Sequence, residues 1–381
     1  MDSINKMRVA IVGAGKISDI YYSNIKNRYD NLELVKCCSK HGESAKRQGE
    51  KYGVVACSFE EILADESIGL VVVLTPADTH YELIKRIVLA GKHAYTEKAF
   101  TITHEEAKEL LCIADEKNVK IGASPDTFLG TPLQTAKNLI AKGVIGEVSG
   151  VTVTIERNLN MLYGHMRFLL GPGGDILGDF SPYYLNALLD LFGPVARVSC
   201  MQKINRPNRK STVTGEEFEV KTENVGAAIL QFENGLIGSM MMDGDSIVPE
   251  QHHFIIYGTE GVLYLPNMDH FNGEVRLQKN VDGAERLMFG NPQGLTPKWL
   301  ALEENKKVIE QLFGSVPQPV ELLPGPVDDQ RGIGVSEMAD AIMHGRRPAA
   351  CGERAAHVVE IIEGFRKSSE CGQVYTLRST I

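Results

Sequence analysis

The sequence lacks the features that point to a membrane or to a nucleic acid. Its most apolar run, residues 68–74, has the length of a strand and falls well short of a bilayer span. Acidic residues outnumber basic ones, with 49 Asp and Glu against 40 Lys and Arg, so the formal net charge is -9 at pH 7. This excess of negative charge argues against nucleic acid or an anionic membrane surface as the main partner. The first residues show no cationic and apolar signal segment.

Cysteine is scarce, and its positions form no recognisable pattern. The seven cysteines are odd in number and include no Cys-x-x-Cys pair, and no zinc-like ligand spacing occurs. Cys37 and Cys38 are adjacent in a predicted strand, so their side chains should point to opposite faces. We therefore expect free buried thiols, no metal site and a reduced, cytoplasmic setting.

The sequence does contain, near its start, a strand followed by a glycine turn and a helix. Its 381 residues, 43% apolar and 23% charged, are typical of a globular protein of two domains. Residues 7–12 are apolar and β-branched, Gly13 and Gly15 follow, and a helical period begins at Lys16. Gly13 permits the turn, and Gly15 lets a phosphate approach the helix N-terminus. Although Ser18 replaces the usual third glycine or alanine, the pattern predicts a dinucleotide site; a purely structural turn is the alternative.

Strands and helices alternate through the rest of the first half. The further predicted strands are 32–38, 70–74, 93–96 and 120–123. This alternation predicts a Rossmann α/β domain over residues 1–128, with a doubly wound parallel sheet. Ligands of such sheets bind beyond the carboxyl ends of the strands, which is where Gly13, Ser39, Thr75 and Lys98 fall.

The end of the second strand indicates which dinucleotide binds. An acidic residue at this place holds the ribose hydroxyls of NAD, but this sequence has Ser39, Lys40 and His41, with Lys46 and Arg47 close behind. A hydroxyl beside cations accepts a 2′-phosphate, whereas a carboxylate repels it. The pattern favours NADP(H) over NAD(H), with a solvated basic start of a helix as the alternative.

Residues 129–381 predict an α+β domain on a large open, mainly antiparallel sheet. After a helix at 131–142, strands follow one another at 148–155, 195–203, 225–232, 235–242, 253–257 and 261–265. Helices return at 297–313, 332–343 and 354–369. One face of such a sheet needs cover, so we expect a homodimer or homotetramer formed through it. The irregular stretch 158–170 contains His165 and Arg167, which we assign as substrate contacts.

Four motifs in this order resemble a known family. They are the glycine turn at 10–18, Thr-Pro-x-x-x-His at 75–80, Gly-Lys-His-Ala-Tyr-Thr-Glu-Lys at 91–98, and a glycine-started segment at 173–186. Over nearly its whole length the sequence resembles the Gfo/Idh/MocA oxidoreductases, which include inositol dehydrogenases and glucose–fructose oxidoreductase. The resemblance implies an NAD(P)-dependent enzyme acting on a carbohydrate-like small molecule. It also implies a catalytic Asp179 and, four residues on, a catalytic Tyr183.

The sequence departs from the family pattern at three positions. Ala99 replaces the proline that usually follows Glu-Lys, and a cis bond before a residue other than proline costs ~3 kcal/mol more than trans. We therefore expect a trans bond between Lys98 and Ala99. Tyr183 stands where many family members carry histidine, and in having tyrosine there the sequence resembles the glucose–fructose oxidoreductase branch. Asn186 stands where many members carry an acid, and we assign it as a substrate contact.

Lys98, Asp179 and Tyr183 form the predicted catalytic set. Oxidation of an alcohol needs a hydride acceptor, which nicotinamide supplies, and a base at the hydroxyl. Tyr183 supplies the base if the ammonium of Lys98 lowers its pKa. Asp179 then orients Lys98 or the substrate. Pro182 leaves two arrangements open: one continuous helix, or a helix capped by Ser181 with Pro182 as its first residue and Asp179 in the preceding turn.

The predicted cofactor contacts combine the strand ends with the family motifs. They are Gly13, Gly15, Lys16, Ile17, Ser39, Lys40, Thr75, Pro76, His80, Glu97 and Lys98. Three functions remain open: an oxidoreductase of a sugar, sugar derivative or cyclitol; a glycoside-cleaving enzyme that oxidises its substrate transiently with bound NAD; and a non-catalytic sugar or dinucleotide sensor. The presence of the complete catalytic set favours an enzyme over the sensor.

Overall fold

A six-stranded parallel sheet forms the first half of the chain in the computed structural model, which describes residues 6–164, 166–279, 302–303, 306 and 317–381. Its strands are β1 (Met7–Val12), β2 (Leu32–Cys38), β3 (Val55–Ala56), β4 (Leu70–Val73), β5 (His93–Thr96) and β6 (Ile121–Ala123). They lie in the order β3-β2-β1-β4-β5-β6, and each pair of neighbours is parallel. The predicted doubly wound sheet is therefore confirmed.

Helices cover both faces of this sheet. They are α1 (Ser18–Asn27), α2 (Gly42–Tyr52), α3 (Phe59–Ala64), α4 (His80–Leu89) and α5 (His104–Glu116). A capping box starts α5, because the Thr103 hydroxyl accepts from the N–H of Glu106 (3.2 Å) and the Glu106 carboxylate accepts from the N–H of Thr103 (3.1 Å). Cys37 and Cys38 belong to the cores on opposite faces, as predicted, and all seven cysteines are free.

A nine-stranded sheet forms the second half. Its strands, from one edge to the other, are β16 (Gln318–Pro319), β15 (Arg276–Lys279), β14 (Gly261–Leu265), β13 (Asp245–Gly258), β7 (Val148–Asn158), β12 (Ile237–Asp243), β11 (Val225–Phe232), β8 (Val195–Lys203) and β17 (Tyr375–Thr376). A separate hairpin pairs β9 (Asn208–Lys210) with β10 (Glu217–Glu219). The pairings are antiparallel except that β12 runs parallel to β7, because helices carry the chain back to the same end of the sheet before β8 begins.

Five helices belong to the second half of the described chain. They are α6 (Thr131–Ala141), α7 (Leu159–Leu162), α8 (Ser181–Phe192), α9 (Ile333–Met343) and α10 (Gly352–Cys371). The stretch expected to be irregular thus contains the single turn of α7 and a 3₁₀ turn at Arg167–Leu170. The helix predicted at 297–313 lies outside the described residues. Across the described ranges, none of the helices combines the length and the apolar composition that a bilayer crossing requires.

The two faces of the nine-stranded sheet differ in burial. On β12 the side chains of Met240 and Met242 are buried, whereas Met241 between them is 39% exposed. The same open face carries Met201, Ile229, Ile237 and Tyr257, each at least 38% exposed. The sheet therefore packs one face on helices and presents an apolar patch on the other, as the strand pattern predicts.

The last helix, α10, packs against both sheets. Ala355 and Val359 of α10 pack in the core beside β6, while Ile361 and Phe365 belong to the core that continues under β8. The backbone of Cys351, just before α10, also bridges to Gly122 of β6. The division into domains at 1–128 and 129–381 therefore stays a prediction, because α10, near the end of the chain, contributes side chains to the core of the first half.

Asp126 lies at the crossover between the halves and is 2% exposed. Its Oδ2 accepts a hydrogen bond from the backbone N–H of Gly334, at the start of α9 (2.9 Å). Burial raises the pKa of this carboxyl from 3.8 to about 6, although the hydrogen bond from Gly334 acts in the opposite direction. The ionised carboxylate is therefore held in the interior at neutral pH at a cost in stability.

We expect Asp126→Asn to raise the free energy of unfolding at pH 8 by up to ~3 kcal/mol. The amide oxygen still accepts from Gly334 but carries no charge. Because the folded-state pKa lies above 3.8, the stability contributed by Asp126 falls as pH rises toward 6, so the gain in the variant should shrink to roughly half at pH 5. Urea unfolding at both pH values measures this. If the variant and the wild type differ in free energy of unfolding by the same amount at pH 5 and at pH 8, the raised pKa of Asp126 is contradicted.

Candidate active site

The glycine turn after β1 forms a cradle open to solvent. Gly13 has φ 120°, and a Cβ at this position would lie 2.6 Å from the carbonyl oxygen of Leu74. Gly15 is exposed, and a Cβ there would meet no atom within 4 Å. Gly13 thus lets the turn pack against the chain after β4, and Gly15 leaves the N-terminus of α1 open to an anion. This geometry fits the pyrophosphate of a dinucleotide.

Ser18 explains how the turn tolerates the loss of the third glycine. Its hydroxyl is buried and donates to the carbonyl oxygen of Gly15 (2.7 Å). Gln48 of α2 donates to the same hydroxyl (3.4 Å) and to Asp19 (3.0 Å). The serine therefore ties the turn to α1 and α2. The neighbouring side chains of Lys16 and Ile17 are exposed and half-buried, respectively.

The loop after β2 contains the residues expected to determine whether NADP(H) or NAD(H) binds. The Ser39 hydroxyl donates to the carbonyl oxygen of His41 (2.6 Å) and lies 2.8 Å from the hydroxyl of Ser44. Lys40 is exposed at the same loop, next to the N-terminus of α2. The loop thus places a hydroxyl, an ammonium and a helix N-terminus at the carboxyl edge of the sheet.

His80 joins the two loops that follow β4 and β5. The ring is fully buried, with Nε2 2.8 Å from the carbonyl oxygen of Thr75 and Nδ1 2.6 Å from that of Ala99. Burial lowers the pKa of His80 and favours the neutral ring, which can donate to only one of these carbonyls. Pro76 is exposed beside Thr75. His80 therefore positions the backbone of both loops from behind.

The peptide bond between Lys98 and Ala99 is cis, so the prediction of a trans bond is wrong. That prediction used the intrinsic preference of an isolated bond. In the folded chain the segment is held on both sides: the N–H of Glu97 donates to Val73 (3.0 Å), and the carbonyl of Ala99 faces His80.

Glu97 is fixed by the helix that follows the glycine turn. Its carboxylate accepts from the hydroxyl of Tyr21 on α1 (2.6 Å) and from the backbone N–H of Lys98 (3.1 Å). Tyr21 is fully buried and also lies 2.9 Å from the hydroxyl of Ser124. The segment carrying Lys98 is thereby tied to α1.

Lys98 and Asp179 form an ion pair that spans the two halves of the chain. The two side chains are only 12% and 9% exposed. The Lys98 ammonium also lies 5.4 Å from the centre of the Tyr183 ring, over its face. The structure therefore brings the predicted amine, carboxylate and phenol together.

Tyr183 has a pKa well above 10, raised first by burial and then by the charges of Asp269 and Glu97. The expectation that Lys98 lowers it is wrong. The ammonium lies over the ring face instead of at the hydroxyl, and Asp179 balances its charge. Tyr183 is therefore a phenol at neutral pH and a proton donor.

Asp179 lies in a wide turn, Ile176–Phe180, that leads directly into α8. As in the second arrangement, Asp179 lies in the turn before the helix, but the helix begins at Ser181 and Ser181 does not cap it, because its hydroxyl donates to the carbonyl oxygen of Leu177. Asp175 begins the turn, because its Oδ1 accepts from the N–H groups of Leu177 (2.9 Å) and Gly178 (2.8 Å). Burial raises the pKa of Asp179, and Lys98 opposes that shift.

Of the three predicted substrate contacts, the two that the structure describes are not gathered at this pair. His165 lies outside the described residues. Arg167 is half exposed and forms an ion pair with Glu216. Asn186 is 4% exposed and donates to the carbonyl oxygen of Pro182 in its own helix (3.0 Å).

Sequence reasoning missed two charged residues beside Tyr183. Asp269 lines the same hollow as Tyr183 and accepts from Arg157 (2.5 Å), and the charge of Arg331 lowers the pKa of Tyr183. Both residues lie far from Tyr183 in sequence and follow no motif, so only the tertiary fold reveals them. A hollow beside Tyr183 is lined with polar side chains, including Glu156, Arg157, Glu250, His252, Asn267 and Asp269.

Comparison with known families finds two matches that together cover most of the chain. Residues 7–124 match the model described as the oxidoreductase family, NAD-binding Rossmann fold. Residues 133–264 match the model of the GFO/IDH/MocA C-terminal domain.

Individual proteins are similar over nearly the full length. The scyllo-inositol 2-dehydrogenase (NADP(+)) of Bacillus subtilis is 23% identical over 368 residues, which are 96% of this chain and 95% of that protein. An NAD-binding oxidoreductase from Klebsiella pneumoniae has the same fold, with a TM-score of 0.78 and 18% identity over 98% of this chain and 99% of that one. A levoglucosan dehydrogenase in complex with NADH and L-sorbose gives a TM-score of 0.77 and 20% identity over 98% of this chain and 99% of that one.

The two glycines of the cradle should respond differently to substitution by alanine. Gly13→Ala strains a backbone with φ 120° and drives a Cβ against Leu74, so we expect it to destabilise the fold by about 2 kcal/mol or more. Gly15→Ala meets open space, so its melting temperature should stay unchanged while dinucleotide affinity falls about tenfold or more. Thermal unfolding and fluorescence titration with NADPH and NADH measure the two effects. Unchanged dinucleotide affinity in Gly15→Ala would remove the turn from the binding site.

Proposed function

The chain belongs to the Gfo/Idh/MocA family of oxidoreductases, and on this premise we propose that it transfers a hydride between NAD(P) and a hydroxyl- or carbonyl-bearing carbon of a sugar, sugar derivative or cyclitol. The observation that carries the proposal is the convergence of Lys98, Asp179 and Tyr183 next to the carboxyl edge of the parallel sheet. Nicotinamide at that edge supplies or accepts the hydride. The dinucleotide contacts are those predicted above, with the pyrophosphate at the glycine cradle.

Each catalytic side chain has a separate task in this proposal. Tyr183 keeps its proton at neutral pH and therefore gives it to a carbonyl oxygen during reduction, or receives it back during oxidation. The Lys98 ammonium holds the same substrate oxygen and stabilises negative charge that develops on it. Asp179 fixes the position of that ammonium through the ion pair.

The substrate class is supported by the hollow beside Tyr183 and by the names of the relatives. The polar side chains beside Tyr183 offer both hydrogen-bond donors and acceptors, which suits contact with hydroxyl groups of a substrate. Two of the relatives are named as dehydrogenases of scyllo-inositol and of the sugar anhydride levoglucosan.

NADP(H) is the favoured dinucleotide in our proposal. Ser39, Lys40 and the N-terminus of α2 offer a hydroxyl, a cation and unpaired N–H groups where a 2′-phosphate would lie. The name of the Bacillus subtilis relative specifies NADP(+), whereas the levoglucosan dehydrogenase holds NADH. A direct comparison of the two dinucleotides therefore belongs in the test of function.

We also propose that the open face of the nine-stranded sheet forms a homo-oligomer. Met201, Ile229 and Met241 lie on adjacent strands and form a continuous apolar surface. A second copy of the same sheet face would cover it.

Analytical ultracentrifugation at micromolar concentration tests this interface. We expect the wild-type chain to sediment as a dimer or tetramer, and Met241→Lys to shift it toward monomer because a charge would be buried in the contact. Lys221→Met, which alters an exposed residue outside these strands, is the control. A monomeric wild-type chain would contradict the proposal.

The function is tested by following nicotinamide absorbance with polyols, aldoses, anhydrosugars and glycosides, each with NAD(P)+ and, for carbonyl compounds, NAD(P)H. We expect net turnover with at least one of these compounds and a preference for NADP(H). Lys98→Met should lose at least ~99% of turnover, because it removes the group at the substrate oxygen. Its dinucleotide affinity should fall much less, because the other predicted dinucleotide contacts, the glycine cradle among them, remain. Glycoside cleavage without net NAD(P)H would instead identify the glycoside-cleaving alternative, and full turnover in Lys98→Met would exclude our mechanism.

A further inference from the structure

The turn at Ile176–Phe180, which we call the Asp179 turn, is held by a second carboxylate, that of Asp175. Every residue of the turn is buried, and Asp175 is 1% exposed. Its Oδ1 accepts from the N–H groups of Leu177 (2.9 Å) and Gly178 (2.8 Å). Its carbonyl oxygen accepts from the N–H of Asp179 (2.8 Å). Three backbone donors of the turn therefore depend on the position of this one residue.

The second oxygen of the same carboxylate is bound by Arg366 of α10. The Nη2 group of Arg366 donates to Oδ2 of Asp175 (2.8 Å), and the two residues are 191 positions apart in the sequence. The arginine side chain is 28% exposed, and its Nε lies 4.0 Å from the carboxylate of Glu223. Because backbone amides bind one oxygen and a cation binds the other, the carboxylate cannot rotate without losing hydrogen bonds. The last helix thus fixes the start of the Asp179 turn.

The chain just before Asp175 is closely packed. A Cβ on Gly174 would lie 2.2 Å from the carbonyl oxygen of Phe168, so no side chain fits there. A Cβ on Gly173 would lie 3.6 Å from the Cβ of Ala99, in the loop after β5. The segment therefore lies against the loop that carries the catalytic lysine, and Arg366 binds it from the other half of the chain.

The geometry of the turn determines where the Asp179 carboxylate lies. Because the N–H of Asp179 is bound to Asp175, a rotation of the turn would move the Asp179 side chain relative to Lys98. In the proposed mechanism the Lys98 ammonium, held by Asp179, contacts the substrate oxygen. A displacement of about 1 Å in such a group can cost on the order of 100-fold in rate.

We propose that Arg366 is a positioning residue for the reaction: through Asp175 it holds the Asp179 turn, and thereby fixes the Lys98 ammonium at the substrate oxygen. This inference rests on the proposed function and deepens it. Arg366 itself contacts neither the substrate nor the dinucleotide, and its effect reaches the site through the carboxylate of Asp175.

An ion pair that only stabilised the fold would behave differently. Its loss would lower the melting temperature, but each molecule that remained folded would keep the turn, and its kcat would be unchanged. Loss of a pair that positions Asp179 lowers kcat in molecules that are fully folded. All variants are therefore compared at a temperature at which each of them is folded.

The first test needs neither substrate nor dinucleotide. Hydrogen–deuterium exchange followed by mass spectrometry measures the amides of Leu177, Gly178 and Asp179. We expect Arg366→Met to raise their exchange rate about tenfold or more, because the carboxylate that caps the turn loses its fixed position. Arg366→Lys, which keeps a cation, should raise the rate by less than about a third of that.

The matched control is Arg354→Met. Arg354 also lies on α10 and faces a carboxylate with little exposure, that of Asp190 on α8, at 3.6 Å. This variant should leave the exchange of the three turn amides unchanged. Equal exchange rates in Arg366→Met and the wild type, or an equal rise in Arg354→Met, overturn the proposal. Arg366→Gln replaces Arg366→Met if the latter does not fold.

The second test uses a substrate found in the absorbance screen. Arg366→Met should lower kcat about tenfold or more and change KM less than about threefold, because the Lys98 ammonium acts on charge that develops in the transition state. Arg366→Lys should recover part of kcat, and Arg354→Met should retain it. An unchanged kcat in Arg366→Met overturns the proposal.

A double variant shows whether Arg366 acts through Asp175. Asp175→Asn keeps an oxygen that can cap the turn but removes the charge that Arg366 binds. Adding Asp175→Asn to Arg366→Met should lower kcat by no more than about twofold further, because the two residues act as one unit. Losses that multiply overturn the proposal. If the screen finds no substrate, the proposed function fails, while the exchange measurement still decides whether Arg366 holds the Asp179 turn.

Discussion

The site depends on one buried ion pair between the two halves of the chain. Lys98 follows a strand of the parallel sheet, and Asp179 precedes a helix that packs on the nine-stranded sheet. Removing either charge from water is costly unless the other is present, so the pair favours one arrangement of the halves. The same contact sets the ammonium over the ring of Tyr183. The proposed catalytic set therefore forms only where the two halves meet.

Much of the fold could be predicted because the signals are local. A buried strand, a glycine turn and a capping box each occupy a few consecutive residues. The backbone conformation of Gly13 and the side-chain hydroxyl of Thr103 explain why each residue occurs at its position. The site was predicted only where motifs mark it, at Lys98, Asp179 and Tyr183. Asp269 lies beside Tyr183 only through tertiary packing, and no pattern near it in the sequence predicts this.

Two errors share one physical origin, which is reasoning from an isolated group. The bond after Lys98 was assigned the preference of a free peptide, whereas His80 and Val73 hold the segment on both sides. Tyr183 was assigned a pKa lowered by the nearest ammonium, whereas that ammonium is already paired and burial acts in the opposite direction. In both cases the surroundings outweigh the intrinsic property, and a sequence lists residues without their surroundings.

The position of α10 has a consequence for how the protein is made. Its side chains complete the core beside β6, yet α10 begins at Gly352, more than two hundred residues after β6 ends at Ala123. During synthesis the parallel sheet leaves the ribosome with that apolar surface uncovered, and it stays uncovered until the end of the chain emerges. A truncated product lacking α10 would therefore expose apolar surface of the parallel sheet as well as the open face of the nine-stranded sheet. Chaperones and proteases would then recognise the whole chain as incompletely folded, instead of one folded domain followed by an unfolded segment.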